Sequence, residues 1–197
     1  MTITAQDVMA LRERTGAGMM ECKKALAESG GDSEKAVSYL RERGLAKAAG
    51  KAGRATKEGL IYAYIHPGDK LGVMIEINCE TDFVARTDEF KGLAKDIAMQ
   101  VAAASPVAVR REELDQALLE QERKIFHTQV INEGKPEKIV DKIVDGKMEK
   151  YFAEVCLMEQ PFVKQPETTI GGLVQAAISK LGENMTVKRF VRYRLGE

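Results

Sequence analysis

The spacing of apolar residues predicts helices throughout the first part of the chain. In residues 1–44, apolar positions recur at helical intervals in three short stretches that glycines separate. Thr4 with Asp7 predicts a capped start to the first stretch, Asp32 caps the third, and Gly44 is expected to end it. Residues 1–44 are therefore predicted to form a compact three-helix module.

A segment of small and cationic residues follows this module. Residues 45–58 place Lys47, Lys51, Arg54 and Lys57 among alanines and glycines, which is typical of a partly flexible linker. The same cations could touch nucleic acid, but the segment has no aromatic side chain on which a base could stack. A solvated linker is the favoured interpretation.

Beyond the linker, the apolar period changes to two, as in strands. Residues 60–65 and 71–78 are joined by residues 66–69, which have the composition of a tight hairpin turn. Residues 187–195 alternate in the same way. These segments predict a small antiparallel sheet of about three strands.

Helices are predicted around these strands. One begins at Thr81 and runs to about Ala104, another covers residues 112–131, a third follows Pro136, and a short one ends near Gly182. Their apolar faces are expected at two sets of positions: Leu114, Ala117, Leu118 and Ile125 in the second, and Ile139, Val140, Ile143, Val144 and Met148 in the third. A loop is predicted at residues 160–163. Residues 59–197 are therefore expected to form one α+β core domain.

The junction between the second strand and the first core helix places an acid beside an aromatic ring. Thr81 is positioned to cap the helix, and Asp82 suits the first turn because the N–H groups there lack partners. Asp82 and Phe83 therefore belong to a rigid corner. One interpretation needs no partner protein: Asp82 is a first-turn acid and Phe83 fills the core. The other makes the corner a contact site.

Composition narrows the class of protein. The 197 residues suffice for a sizeable core, and 30 basic against 30 acidic side chains argue against a protein that mainly neutralises nucleic-acid phosphates. The first residues show no basic segment followed by an apolar one, and no stretch approaches the roughly 18 apolar residues of a membrane helix. We expect a soluble chain that is not exported and does not enter a membrane.

The candidate chemical groups are few. His66 falls in the predicted turn and His127 in a predicted helix, and no serine or cysteine elbow accompanies either. The common glycine-rich nucleotide-binding loops are absent from the sequence. We expect no enzyme activity, no cofactor and no metal site.

The three cysteines, Cys22, Cys79 and Cys156, are odd in number and widely spaced. This pattern is typical of reduced thiols rather than of a metal site or a redox pair. The sequence leaves open whether one of them links two subunits.

Three segments of the chain form longer motifs. They are residues 11–26, which begin Leu-Arg-Glu-Arg-Thr-Gly; residues 76–85, around Thr-Asp-Phe-Val; and residues 134–163, from Gly-Lys-Pro-Glu to Gln-Pro-Phe-Val. Together these segments extend over nearly the whole chain. In sequence and in order they resemble the elongation factor Ts family of bacteria and organelles.

The resemblance implies a guanine-nucleotide exchange factor for elongation factor Tu, the GTPase that delivers aminoacyl-tRNA during translation elongation. It also implies that the three-helix module is similar to ubiquitin-associated domains and docks on the GTPase domain. Arg12, Met19 and Met20 match the family's contact positions there.

For the corner, the resemblance implies that Thr81, Asp82, Phe83 and Val84 push into the GDP-bound GTPase beside its nucleotide. Phe83 would act as a wedge, and the resulting shift would disturb Mg²⁺ coordination and the phosphate-binding loop.

Longer members of the family carry a duplicated core half and a coiled-coil insertion, whereas this sequence matches a short, single-core form that stops at Glu197. We expect a homodimer to restore the missing half, partly through residues 187–195. The expected location is the cytoplasm, or the stroma or matrix of an organelle, with no direct contact to nucleic acid or membrane.

The residues alone also allow two other classes of function. The three-helix module could belong to a ubiquitin-like or peptide-binding adaptor, and the cations of residues 45–58 could serve a nucleic-acid-binding protein. Neither accounts for Asp82 and Phe83.

Overall fold

The computed structural model describes residues 3–197, so the first two residues of the predicted module lie outside the described part. The helices are α1 Ala5–Thr15, α2 Met19–Glu28, α3 Ser33–Ala49, α4 Asp82–Ala85, α5 Asp88–Ala104, α6 Gln116–Asn132, α7 Glu137–Val155 and α8 Ile170–Leu181. The strands are β1 Glu58–Ile65, β2 Leu71–Cys79, β3 Pro161–Phe162, β4 Gln165–Thr169 and β5 Met185–Arg194. This mixture confirms the predicted α+β class.

The chain packs as two compact units, each assembled from separate segments. One contains the chain up to Gly59 together with Asn78–Phe90 and Val174–Thr186. The other contains Leu60–Ile77, Lys91–Leu173 and Val187–Glu197. The division of the sequence at residues 44 and 58 stays a prediction.

Helices α1, α2 and α3 form the predicted three-helix arrangement. Thr4 and Asp7 make a reciprocal capping box at the start of α1, and the Asp32 side chain caps α3, as their sequence positions predicted. Apolar side chains from all three helices share one core, comprising Val8, Leu11, Cys22, Ala25, Leu26 and Ala36.

The prediction that α3 ends at Gly44 is wrong, because the helix continues to Ala49 through the first part of the expected linker. A Cβ atom at position 44 would stand 3.3 Å from the Ser179 hydroxyl of α8. Gly44 therefore lies where another segment approaches the helix closely, and its lack of a side chain serves packing rather than helix termination.

Strands β1, β2 and β5 form one antiparallel sheet with β2 in the centre, which confirms the three predicted strands. Val73, Ile75 and Ile77 of β2 are buried, as the period of two predicted. The opposite face of the sheet exposes apolar side chains, which include Ile61, Ile65, Met74, Val191 and Tyr193. We call this the open face.

The helix predicted from Thr81 to about Ala104 is interrupted, which corrects that prediction. Helix α4 ends at Ala85, and α5 begins at Asp88. The Thr87 hydroxyl donates to the Val84 carbonyl at 2.8 Å and accepts from the Phe90 N–H at 3.2 Å. Thr87 therefore acts as a new N-cap and starts a second helix.

Helices α6 and α7 pack against each other; α7 uses its predicted face apart from Ile139, whereas α6 uses a face that differs from the predicted one. Residues 111–113 form a 3₁₀ turn, and Asp115 caps α6, so the helix begins later than residue 112. Leu118 and Ile125 are exposed, as is Ile139 on α7. The shared core contains Leu119, Phe126 and Val130 of α6, with Tyr151, Phe152 and the predicted Val140, Ile143, Val144 and Met148 of α7.

The segment predicted as a loop at residues 160–163 contributes a short strand, because β3 pairs antiparallel with β4. The buried Gln100 side chain of α5 stabilises this pairing region. Its amide donates to the Pro161 carbonyl at 3.2 Å, and its carbonyl accepts from the Val163 N–H at 2.9 Å.

Candidate functional site

The corner at residues 80–86 joins the end of β2 to the single turn of α4. Thr81 has extended backbone, with φ −130° and ψ 155°, and its hydroxyl accepts a hydrogen bond from the Val84 N–H at 3.5 Å. This confirms the predicted N-cap. Cys79 adds a contact on the strand side, because its thiol donates to the Thr81 carbonyl at 3.1 Å.

Phe83 is the most exposed aromatic ring of this region, at 82 % of its full accessible surface. The interpretation of Phe83 as a core residue is therefore wrong. Two residues on, Ala85 is buried and anchors the same turn. A large aromatic side chain held in water on a fixed turn is available for contact with another protein.

Asp82 lies beside the ring and is half-buried. Its carboxylate forms an ion pair with the Arg86 guanidinium at 2.7 Å, one helical turn away. Val84, the last of the four predicted corner residues, is also half-buried. The corner therefore exposes one aromatic ring, that of Phe83, and the carboxylate next to it is paired with a guanidinium group.

A second loop, Gly182 to Asn184, forms hydrogen bonds to the corner. The Glu183 carboxylate accepts hydrogen bonds from the N–H groups of Glu80, at 3.1 Å, and Thr81, at 2.9 Å. It also accepts the Thr81 hydroxyl at 2.6 Å. Glu183 is not among the predicted site residues, since nothing in its local sequence pattern indicates contact with residues about one hundred positions earlier.

The predicted docking residues lie on the three-helix module, in the same compact unit as the corner. Arg12 is exposed on α1. Met19 and Met20 open α2 and are exposed, Met20 at 76 %. Cys22 and Leu26 supply the core of that helix, so both methionines are available for contact with another molecule.

Three of the four cations of residues 45–58 have partners within the chain. Lys47 pairs with Glu21, Lys51 donates to the Ile178 carbonyl at 3.4 Å, and Arg54 lies 3.6 Å from Glu80. Because carboxylates pair with Lys47 and Arg54 and a carbonyl holds Lys51, the arrangement does not favour a basic nucleic-acid surface.

Comparison with known proteins identifies the family. A family model described as Elongation factor TS matches residues 31–197. The chain is 62 % identical over 195 residues to Elongation factor Ts of Heliobacterium modesticaldum, covering 99 % of this chain and 91 % of the relative. The corresponding protein of Carboxydothermus hydrogenoformans is 59 % identical, with 99 % and 90 % covered. The chain belongs to the elongation factor Ts family.

Membership of the elongation factor Ts family places the chain among the factors of translation elongation. It confirms the family that the three motifs indicated. A third relative, from a Thermoanaerobacter species, is 57 % identical over 195 residues, with 99 % of this chain and 96 % of the relative covered. The described parts of the corner and the helical module can therefore be considered as features of an elongation factor.

The cysteines of this elongation factor Ts family member are free and buried. Burial raises the pKa of Cys79 to about 11, and the negative charge of Glu183 adds to the effect. Burial likewise raises the pKa of Cys156 to about 11, reinforced by Glu159. Both thiols therefore stay protonated near neutral pH, where they are weak nucleophiles.

Within residues 3–197, no group of three or more His, Cys, Asp or Glu side chains could hold a metal ion. Over the same residues, no helix is both long and apolar enough to span a bilayer. His66 lies in the hairpin turn, where its Nδ1 is 3.0 Å from the Tyr64 hydroxyl.

Proposed function

We propose that this chain is the guanine-nucleotide exchange factor of elongation factor Tu, and that Phe83 is the residue that drives release of GDP. The observation that carries the proposal is the exposed Phe83 ring on a braced corner of an elongation factor Ts family member. The Thr81–Val84 corner would enter the GDP-bound GTPase beside its nucleotide.

The physical basis is the way that GTPases hold GDP. Backbone N–H groups, a lysine and Mg²⁺ surround the phosphates, so a small displacement of these groups removes much of the binding free energy. A ring inserted between neighbouring elements of the GTPase can cause that displacement without touching the nucleotide. No covalent bond is made or broken, so the proposed role is not enzymatic.

Docking would use the three-helix module. Arg12, Met19 and Met20 are exposed there, and methionine side chains adapt to varied apolar surfaces. Linkage then requires reciprocity: the factor by which this chain weakens GDP binding equals the factor by which GDP weakens binding of this chain. The complex can thus break down toward either ligand, in the cytoplasm where translation takes place.

The homodimer expected from the sequence would form through the open face. Ile61, Ile65 and Met74 expose apolar surface on two neighbouring strands, and a Cβ at Gly72 would stand 3.1 Å from the Ile65 side chain on this face. The absence of a side chain at Gly72 leaves the surface flat. Stacking two such faces would bury apolar area on both chains.

The direct test is Phe83→Ala, measured by stopped flow as release of labelled GDP from elongation factor Tu. The exposed ring makes no core contribution, so we expect an unchanged thermal unfolding midpoint. We expect the release rate at saturating factor to fall by at least about tenfold, because truncation removes a contact that would act on the nucleotide site.

Leu118→Ala is the matched control, since it truncates another exposed apolar side chain, on α6. It should release GDP at the rate of the unmodified protein. A Phe83→Ala variant that is as active as Leu118→Ala would overturn the proposed function.

A further inference from the structure

Helix α4 is too short to hold its own geometry. It has four residues, Asp82–Ala85, and a single turn lacks the hydrogen bonds that offset the cost of helix nucleation. The direction in which Phe83 leaves the corner must therefore be set by contacts outside the helix.

Glu183 makes three of those contacts. One carboxylate oxygen, Oε2, receives the N–H groups of Glu80 and Thr81, at 3.1 and 2.9 Å. The other, Oε1, receives the Thr81 hydroxyl at 2.6 Å. Hydrogen bonds to an ionised carboxylate are roughly twice as strong as those between neutral groups.

These contacts also orient the helix cap. A hydroxyl has one proton, and that of Thr81 is directed to Glu183. Its lone pairs are thereby left for the Val84 N–H at the start of α4. Glu183 thus acts on both the backbone before the turn and the hydroxyl that begins it.

The loop that carries Glu183 is itself fixed. The Asn184 N–H donates to the Glu80 carboxylate at 2.6 Å, and the Asn184 side-chain amide donates to the Arg54 carbonyl at 2.9 Å. Asn184 is buried. The two loops therefore exchange hydrogen bonds in both directions, and the corner is braced rather than free to pivot.

We propose that Glu183 is a positioning residue for nucleotide exchange: it fixes the direction in which Phe83 projects, without itself contacting the GTPase. This inference rests on the proposed function of Phe83. It separates two properties, because docking would depend on the helical module whereas displacement of the nucleotide site depends on the braced corner.

The test is Glu183→Gln, which keeps the side-chain volume but replaces one acceptor oxygen with a donor. GDP release from elongation factor Tu is measured against factor concentration. We expect the saturating rate to fall by about tenfold or more, as a misplaced contact group does, while the half-saturating concentration changes by less than about twofold. Amide hydrogen exchange at Glu80 and Thr81 should accelerate, with protection elsewhere retained.

Glu89→Gln is the matched control. Glu89 also bridges the same two chain segments, through Lys180 at 3.3 Å, but its ion pair is exposed and has no bond to residues 80 or 81 among those described. It should leave the saturating rate and the exchange of Glu80 and Thr81 unchanged.

Thr81→Val provides a second route should Glu183→Gln lose the fold, because it removes the hydroxyl from the other side of the same bond. It should likewise lower the saturating rate, and the two changes combined should be less than additive. Phe83→Ala is measured in parallel. The positioning role is wrong if Phe83→Ala releases GDP slowly while a folded Glu183→Gln variant, or Thr81→Val in its place, releases GDP at the unmodified rate. The proposed function itself fails if Phe83→Ala is fully active.

Discussion

At the scale of single residues, Phe83 and Phe90 show how one side-chain type takes opposite roles seven positions apart. Phe90 is fully buried and Phe83 is 82 % exposed. The apolar pattern of the sequence could not separate them, because both fit a helical stripe. What separates them is the interruption at Thr87, which changes the direction of the chain between the two rings.

The buried thiols carry a prediction about pH. Burial raises the pKa of Cys79 and that of Cys156 to about 11, above the roughly 8.5 of an unfolded chain. As pH rises, the unfolded state loses these protons first, so the folded state should lose stability between about pH 8.5 and pH 11.

Urea unfolding at pH 8 and pH 10.5 would measure this loss, which should be about 2 kcal/mol for each thiol. Cys79→Ala changes the packing, so only its pH dependence is compared. If the free energy of unfolding of Cys79→Ala falls as steeply with pH as that of the unmodified chain, the buried Cys79 thiol does not cause the loss.

At the scale of elements, the sequence predicted helices and strands better than it predicted their ends and faces. Alternation located β1, β2 and β5, and capping residues located α1 and α3. In α6, however, Leu118 and Ile125 lie directly beside Leu119 and Phe126 in the sequence. Contact with α7 partly buries the second pair, and the local sequence pattern does not contain this neighbouring helix.

The start of α5 depends on one hydroxyl. Thr87→Val keeps the side-chain shape but removes the acceptor of the Phe90 N–H, and losing a cap of this kind costs about 1 kcal/mol. We expect the free energy of unfolding to fall by about that amount in denaturant titration.

Thr128→Val serves as the comparison, since the Thr128 hydroxyl only donates to the Lys124 carbonyl within exposed α6. Its cost should be close to zero. Equal losses in the two variants would show that Thr87 does not act as a cap.

At the scale of the whole molecule, the proposed dimer concerns the open face. Met74 lies on the central strand of the sheet and is exposed. Light scattering with size exclusion at micromolar concentration should give twice the mass of one chain. Met74→Lys should give a single-chain mass, because stacking the faces would bury a charged ammonium group among apolar side chains.

Leu118→Lys places the same charge on an exposed position outside the sheet, and it should remain dimeric. A single-chain mass for the unmodified protein would refute the dimer while leaving the exchange proposal intact, since the corner and the helical module belong to one chain.

The ion pair between Asp82 and Arg86 has a consequence for how fast the two proteins meet. Arg86 already neutralises the acid beside Phe83 within the turn, so the corner creates little long-range electrostatic field. The 30 basic and 30 acidic side chains of the chain also cancel. Electrostatic steering by the corner should thus contribute little to the rate at which this chain and the GTPase meet. Recognition would begin only at short range, when the ring reaches an apolar surface that it can share.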